Sequence, residues 1–183
     1  MIAIIGESGS GKSTLQEMLI KNDSRYKKVI KYTTRPKREN EKDGVDYHFI
    51  SESRFEKLIK KNFFAEYAKY RDWFYGIAKE DCVDSQYSVA ILTPVGLRTL
   101  LRLGVKVTSI YLYADRRSRL INILARGDNV DEAYRRNLSE VGQFDGIVDE
   151  VNYVIDNTAF HMDEEQVFQC LYNILNYKDS NSI

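Results

Sequence analysis

Short, mostly apolar runs alternate along this chain with longer stretches in which apolar positions recur at helical spacing. Ile2, Ala3, Ile4 and Ile5 contain no polar position and are followed by Gly6, Gly9 and Gly11, the pattern of a strand buried on both faces of a parallel sheet. Residues 12–20 then read as a helix. Apolar runs recur at 88–92, 107–113 and 153–155, each followed by a helical pattern, at 94–103, 116–124 and 163–175. This β-α alternation predicts an α/β fold: a parallel sheet with helices on both faces. The helix after residue 92 has a clear start, because Thr93 can cap it while Pro94 takes the first helical position. Ser53 with Glu56 reads as a capping box on a helix through residue 60.

Two stretches break the alternation. Residues 33–77 are dense in aromatic and charged side chains, with strand-like pieces at 47–50 and 64–70, and read as an inserted lobe. Residues 126–131 form a polar connection between two helices, as a mobile flap would. No internal repeat or linker divides the chain, so one domain with two excursions is expected, ending in a frayed tail at 179–183.

Composition narrows the possible partners. The 183 residues carry 27 Lys plus Arg against 27 Asp plus Glu, a formal net charge of +0. That balance argues against a globally basic binder of nucleic acid or of a membrane surface, so any anion site must be built locally. Cys82 and Cys170 are far apart, and His48 and His161 are isolated, so no disulfide scaffold or local zinc site is implied. The absence of a long apolar run and of a basic leader points to a cytoplasmic protein.

The glycines after the first strand carry the chemistry. Gly6-Glu7-Ser8-Gly9-Ser10-Gly11-Lys12-Ser13, continued by Thr14, is a glycine, four residues, then Gly-Lys-Ser, set between a predicted strand and a predicted helix. Such a loop converges backbone N–H groups on phosphate oxygens, Lys12 reaches the outer phosphates, and the Ser13 hydroxyl suits a magnesium ion. A bare glycine-rich turn would match this pattern by chance in under about one chain in a hundred of this length.

A second anion site is suggested by Thr33-Thr34-Arg35-Pro36-Lys37-Arg38 and Asp43-Gly44-Val45-Asp46-Tyr47-His48-Phe49, with Tyr75 further along. Arginines present a planar fork to phosphate oxygens and tyrosines add hydroxyl donors. Glu39, Glu41 and Lys42 lie among them, so spacing alone leaves a solvated charge run as an equal reading.

Thr33-Thr34-Arg35, Arg38, Glu41, Gly44, Asp46-Tyr47, Phe49, Glu66 and Tyr75-Gly76 together resemble the guanylate kinase family, over most of the chain. The resemblance implies a P-loop kinase core (1–32, 78–125 and 138–178), an inserted nucleotide-monophosphate lobe (33–77) and a short lid (126–137). It implies ATP-dependent phosphorylation of a nucleoside monophosphate, GMP or dGMP, with Mg2+. Arg35, Arg38, Tyr47 and Tyr75 would hold the acceptor phosphate, Glu66 would read the guanine edge, and Lys12 with Arg126, Arg135 and Arg136 would neutralise the transferring group. The partners implied are small nucleotides, for a monomer or homodimer.

Four departures stand out. Lys31 and Ile77 occupy positions where the family has small hydroxyl residues that help bind the base. The segment Ile91-Leu92-Thr93-Pro94 lacks a carboxylate, and Asn137 replaces a lid arginine, for which Arg135 or Arg136 could substitute. Lys31 and Ile77 support a kinase of another (deoxy)nucleotide or a sugar phosphate as the alternative. A non-catalytic binding module of the same shape is the further alternative, and the intact phosphate loop speaks against it.

Overall fold

The computed structural model describes the chain except residues 40, 71, 83–85, 128, 159–162 and 181–183. His161, Asp128 of the expected lid and the end of the expected tail therefore lie outside the described residues. In chain order the elements are β1 (Ile2–Ile5), α1 (Lys12–Asn22), β2 (Lys27–Lys28), β3 (Tyr32–Thr33), β4 (His48–Phe49), α2 (Glu52–Lys60), β5 (Phe64–Tyr70), β6 (Trp73–Ala78), β7 (Ser88–Leu92), α3 (Pro94–Arg102), β8 (Thr108–Tyr113), α4 (Arg116–Ala125), α5 (Val130–Ser139), β9 (Tyr153–Asp156) and α6 (Glu164–Ser180).

Strands β2-β7-β1-β8-β9 form one parallel sheet with β1 at its centre. Successive side chains of a strand point to opposite faces, and that parity builds two cores. Ile2 and Ile4 of β1, Val89 of β7, and Ile110 and Leu112 of β8 pack with Leu15 and Leu19 of α1 and with Val167, Phe168 and Leu171 of α6. Ala3, Ile5, Ala90, Leu92 and Tyr111 point the other way, onto Leu97 and Leu100 of α3 and onto Ile147. Helices on both faces thus follow from a central strand that is apolar at every position.

A second sheet, ordered β4-β3-β6-β5, spans residues 32–78. Tyr32 pairs with Gly76, Thr33 with Tyr75, Ala68 with Tyr75 and Glu66 with Ile77. Thr33, Glu66, Tyr75 and Ile77 therefore share one face, while Tyr32, Phe64, Phe74 and Gly76 share the other. On that second face α2 lays Phe55, fully buried and stacked between Phe64 at 4.4 Å and Phe74 at 5.2 Å. Burying such a ring contributes about 1.5 to 3 kcal/mol, and Phe55 is the one buried residue of α2. A Cβ on Gly76 would come within 2.8 Å of Phe64, so a side chain there would push the stack apart.

Several boundaries differ from the sequence reading. The cap of α2 is Ser51, whose hydroxyl accepts from the Arg54 N–H, not Ser53 with Glu56. Helix α6 runs on to Ser180, past the expected end at 175. Strand β6 falls in a part of the inserted lobe where no element was read, since its residues are apolar on both faces and show no alternation. The Thr93 cap holds: its hydroxyl accepts from the Gly96 N–H, with Pro94 in the first turn.

Candidate active site

The phosphate loop joins β1 to α1 and is held in shape from outside. Asn122 of α4 donates to the Gly9 carbonyl at 2.9 Å, and Asn157, just after β9, donates to the Ser10 carbonyl at 2.8 Å. Gly9 and Gly11 have φ values of 83° and 97°, in the left-handed region that costs an L-residue about 1 to 2 kcal/mol. A Cβ on Gly9 would lie 2.3 Å from the Arg119 carbonyl oxygen, a backbone atom that cannot turn aside. Gly9→Ala is therefore expected to cost about 2 kcal/mol or more, lowering Tm by about 5 °C at the usual scaling for this size. Differential scanning calorimetry checks the shift, and an unchanged Tm would show that the loop is not held as described.

Lys12 opens α1, and its ammonium donates to the Glu7 carbonyl at 2.7 Å, spanning the loop. Burial pushes its pKa down to about 8, partly offset by Glu140 and Glu7; Arg126 and Arg119 depress it further. Ser13 and Thr14 follow Lys12 in the same first turn and are exposed. With Lys12 they line a cavity of about 510 Å³ bounded by Met18 of α1, Asn122 and Arg126 at the end of α4, and Val167 of α6. That volume is in the range of nucleotide-sized pockets.

The arginines sort themselves differently from their sequence order. Arg126 lines the cavity, its Nε donating to the Asn122 carbonyl. Arg135 and Arg136 of α5 line neither this cavity nor a smaller one of about 120 Å³ on the far side of the loop, whereas Asn137 lines the latter and is buried. Arg119 of α4, which the sequence did not single out, lies against the loop, with Nη2 3.7 Å from Glu7 and Nη1 3.7 Å from Glu140. Glu7 in turn accepts from the Tyr111 hydroxyl at 2.9 Å. The supporting side chains Asn122, Arg119, Glu140 and Asn157 come from three separate segments and have no shared motif. The only local signal was their position just past a strand or along a helix after one.

In the second sheet Arg35 is nine-tenths buried, its Nη2 2.5 Å from Glu41 and its guanidinium 5.5 Å from the Tyr47 ring and 5.6 Å from Phe49. Tyr47 and Tyr75 meet edge to face at 6.1 Å. Arg38 is exposed at the rim, with its backbone N–H donating to Glu41 at 2.8 Å. Burial raises the Tyr47 pKa, with Tyr75 adding to the shift, so its phenol stays a donor. Arg35, Arg38, Tyr47 and Tyr75 are thus one cluster.

Glu66 lies apart from it on the same sheet face, 6% exposed, with no hydrogen bond to its carboxylate among the described residues. Burial raises its pKa and the charge of Lys31 pulls it back. Burial lowers that of Lys31, with Glu66 opposing. Gly96 of α3 abuts the carboxyl group, since a Cβ there would sit 3.2 Å from it. Ile77, by contrast, is fully buried in the core with Leu97 and Leu100. Lys31, not Ile77, is thus the departure that bears electrostatically on Glu66.

No helix among the described residues is long and apolar enough to cross a membrane. The family model described as Guanylate kinase matches residues 1–171. A guanylate kinase of Aliivibrio fischeri is 33% identical over 160 residues, 84% of this chain and 77% of its own length. One of Rickettsia bellii is 30% identical over 172 residues, 91% and 90% of the two chains. The crystal structure of guanylate kinase from Anaplasma phagocytophilum superposes with a TM-score of 0.73 over 100% of this chain and 87% of that one, at 21% identity, which speaks for the fold. With its loop, its two sheets and a family match running from residue 1 to residue 171, the chain belongs to the guanylate kinase family.

Proposed function

We propose that this chain transfers the terminal phosphoryl group of ATP to a guanine nucleoside monophosphate, GMP or dGMP. The observation that carries the reading is the buried Glu66 carboxylate, without a hydrogen-bonded protein partner among the described residues, on the same sheet face as Tyr75 of the phosphate cluster. A buried carboxylate left unpaired is costly, and guanine offers it the adjacent N1–H and N2–H donors. Lys31, whose charge acts on the same carboxylate, can donate to the O6 carbonyl.

In this reading the 510 Å³ cavity takes the donor nucleoside beside Arg126, and the amides of Gly11, Lys12 and Ser13 take its phosphates. Arg35, Arg38, Tyr47 and Tyr75 hold the acceptor phosphate. The lobe of residues 33–77 and the lid of 126–137 close over the core and exclude water. Phosphoryl transfer asks mainly for alignment and charge neutralisation. A phosphomonoester is already largely dianionic at neutral pH, so no general base is required. Lys12 and Arg126 screen the transferring group, with Arg135 and Arg136 as lid cations.

Magnesium fits this donor set. Ser13 presents a hard oxygen in the cavity, and an ion that keeps most of its waters and takes phosphate oxygens needs little else from the protein. When bound, it would neutralise charge on the outer phosphates. ADP release with ATP, magnesium and a panel of GMP, dGMP, AMP, CMP and UMP tests the reading. Guanine nucleotides should exceed AMP in kcat/KM by at least about a hundredfold; comparable use of AMP, or no turnover with any, would overturn it.

A further inference from the structure

The anion-binding surface of the phosphate loop already has an anion on it. Glu140, which caps the C-terminal end of α5, accepts from the Ser8 N–H at 2.9 Å and from the Ser8 hydroxyl at 2.6 Å. Ser8 lies toward the strand end of the loop, three residues before the Gly11-Lys12-Ser13 turn that enters the helix. A triphosphate whose inner phosphates occupy that turn directs its last phosphate back along the loop, toward Ser8 and toward Lys12, whose ammonium already reaches Glu7. Glu140 thus stands in the path of the group to be transferred.

Its neighbours point the same way. The 120 Å³ cavity between the loop, α4 and the end of α5 is lined by Arg116, Arg119 and Asn137 as donors, with Glu7, Glu140 and Asp145 as acceptors. It is large enough to hold several waters. Arg119 Nη1 and Asn137 Nδ2 are fully buried, yet neither has a hydrogen-bond partner among the described residues. Arg119 is held from behind by its Nε bond to the Ala114 carbonyl, and lies 3.7 Å from each flanking carboxylate, beyond hydrogen-bond reach. Two unfilled donors on residues that line a small polar cavity beside the loop suit a tetrahedral anion with more oxygens than a carboxylate. The segment after Glu140 contains Gly142 and Gly146 in left-handed conformations, a turn that can swing the carboxylate away.

We propose that Glu140 is a built-in stand-in for the terminal phosphate of the donor, and that Arg119 is a further catalytic residue, which binds the transferring phosphoryl group once Glu140 is displaced. This rests on the donor site read above. Donor binding exchanges one anion for another on Ser8. The apparent affinity for a triphosphate is therefore reduced by the fraction of molecules in which Glu140 is in place, whereas a diphosphate that does not reach Ser8 escapes this penalty. Because Glu140 ends α5, its displacement also couples donor binding to movement of that helix.

Calorimetric titration with magnesium AMP-PNP and with magnesium ADP, on the wild type, Glu140→Gln and Glu140→Ala, tests the stand-in. Both variants are expected to bind AMP-PNP about tenfold more tightly, with ADP unchanged. Glu140→Gln keeps the shape of the side chain and guards against a folding failure of the alanine variant. Arg119→Lys should lower kcat by about a hundredfold or more with less than about a threefold change in ADP affinity. An unaltered ratio of AMP-PNP to ADP affinity with a lowered Tm would show Glu140 to be a fixed strut and overturn the stand-in. An unchanged kcat in Arg119→Lys would overturn the assignment of Arg119. Failure of the wild type to bind either nucleotide through Lys12 would overturn the donor-site reading itself, and this proposal with it.

Discussion

Lys12→Ala is expected to lower kcat by about 10³-fold or more while leaving the fold intact. The size follows from the position of the ammonium, which is the cation anchored within the loop itself. The intact fold follows from its pKa. Burial holds Lys12 at about 8, against 10.5 for an unperturbed lysine, so below pH 8 the folded state carries a charged group it would rather not bury. A lysine whose folded value is depressed disfavours the fold at neutral pH, and this cost is relieved as pH rises from about 8 toward 10.5. Removing the ammonium should therefore leave Tm at neutral pH unchanged or raised.

The same shift predicts a pH profile. Above about pH 8 the donor-free protein has lost this charge, and ATP binding must bring a proton with it. The KM for ATP should then climb by up to about tenfold per pH unit above 8 in the wild type. Initial rates between pH 7 and 9.5 check this. A flat wild-type profile, or a Lys12→Ala variant with near wild-type turnover, would remove Lys12 from the donor site.

Glu66→Gln is expected to erode the preference for GMP over AMP by about a hundredfold or more. A carboxylate accepts from both guanine donors but meets the bare N1 of adenine acceptor to acceptor, and a site built for a hydrogen-bonded partner can discriminate by about 10⁴-fold when that partner is missing. The amide keeps one acceptor and turns its other end into a donor, so it welcomes adenine N1 and repels one guanine N–H. Lys31 sharpens the contrast, since its ammonium favours the O6 carbonyl of guanine over the amino group of adenine. Ratios of kcat/KM for GMP, dGMP and AMP on the wild type and the variant decide the matter. An unaltered ratio would mean that the carboxylate does not read the base, and would favour another acceptor.

How much of this was legible beforehand can be seen strand by strand. The four core strands β1, β7, β8 and β9 were readable because each is built on a run of apolar residues, and the phosphate loop because its chemistry demands glycines, a lysine and a hydroxyl residue at fixed spacing. Thr93 with Pro94 marked the start of α3 for an equally local reason. Strands β2 and β3 are two residues long, too short for any period to register, whereas the equally short β4 falls inside the strand-like piece read at 47–50. The cap of α2 was misplaced by two residues because Ser51 and Ser53 are equivalent in composition, and only the chain path decides which hydroxyl meets a free N–H.

The candidate site divides along the same line. Local sequence determined which residues could touch phosphate, from Gly6 to Thr14 and from Arg35 to Tyr47, since each group is contiguous or nearly so. Tertiary structure alone decided that Glu140 reaches Ser8 with Arg119, 21 positions before it in the sequence, 3.7 Å from its carboxylate, that Asn137 rather than Arg135 or Arg136 lines the small cavity beside the loop, and that the charge of Lys31 acts on Glu66 while Ile77 disappears into the core. Such pairings depend on helix rotation and strand register, which the packing of the two cores sets. No window of sequence short enough to show a motif contains that information.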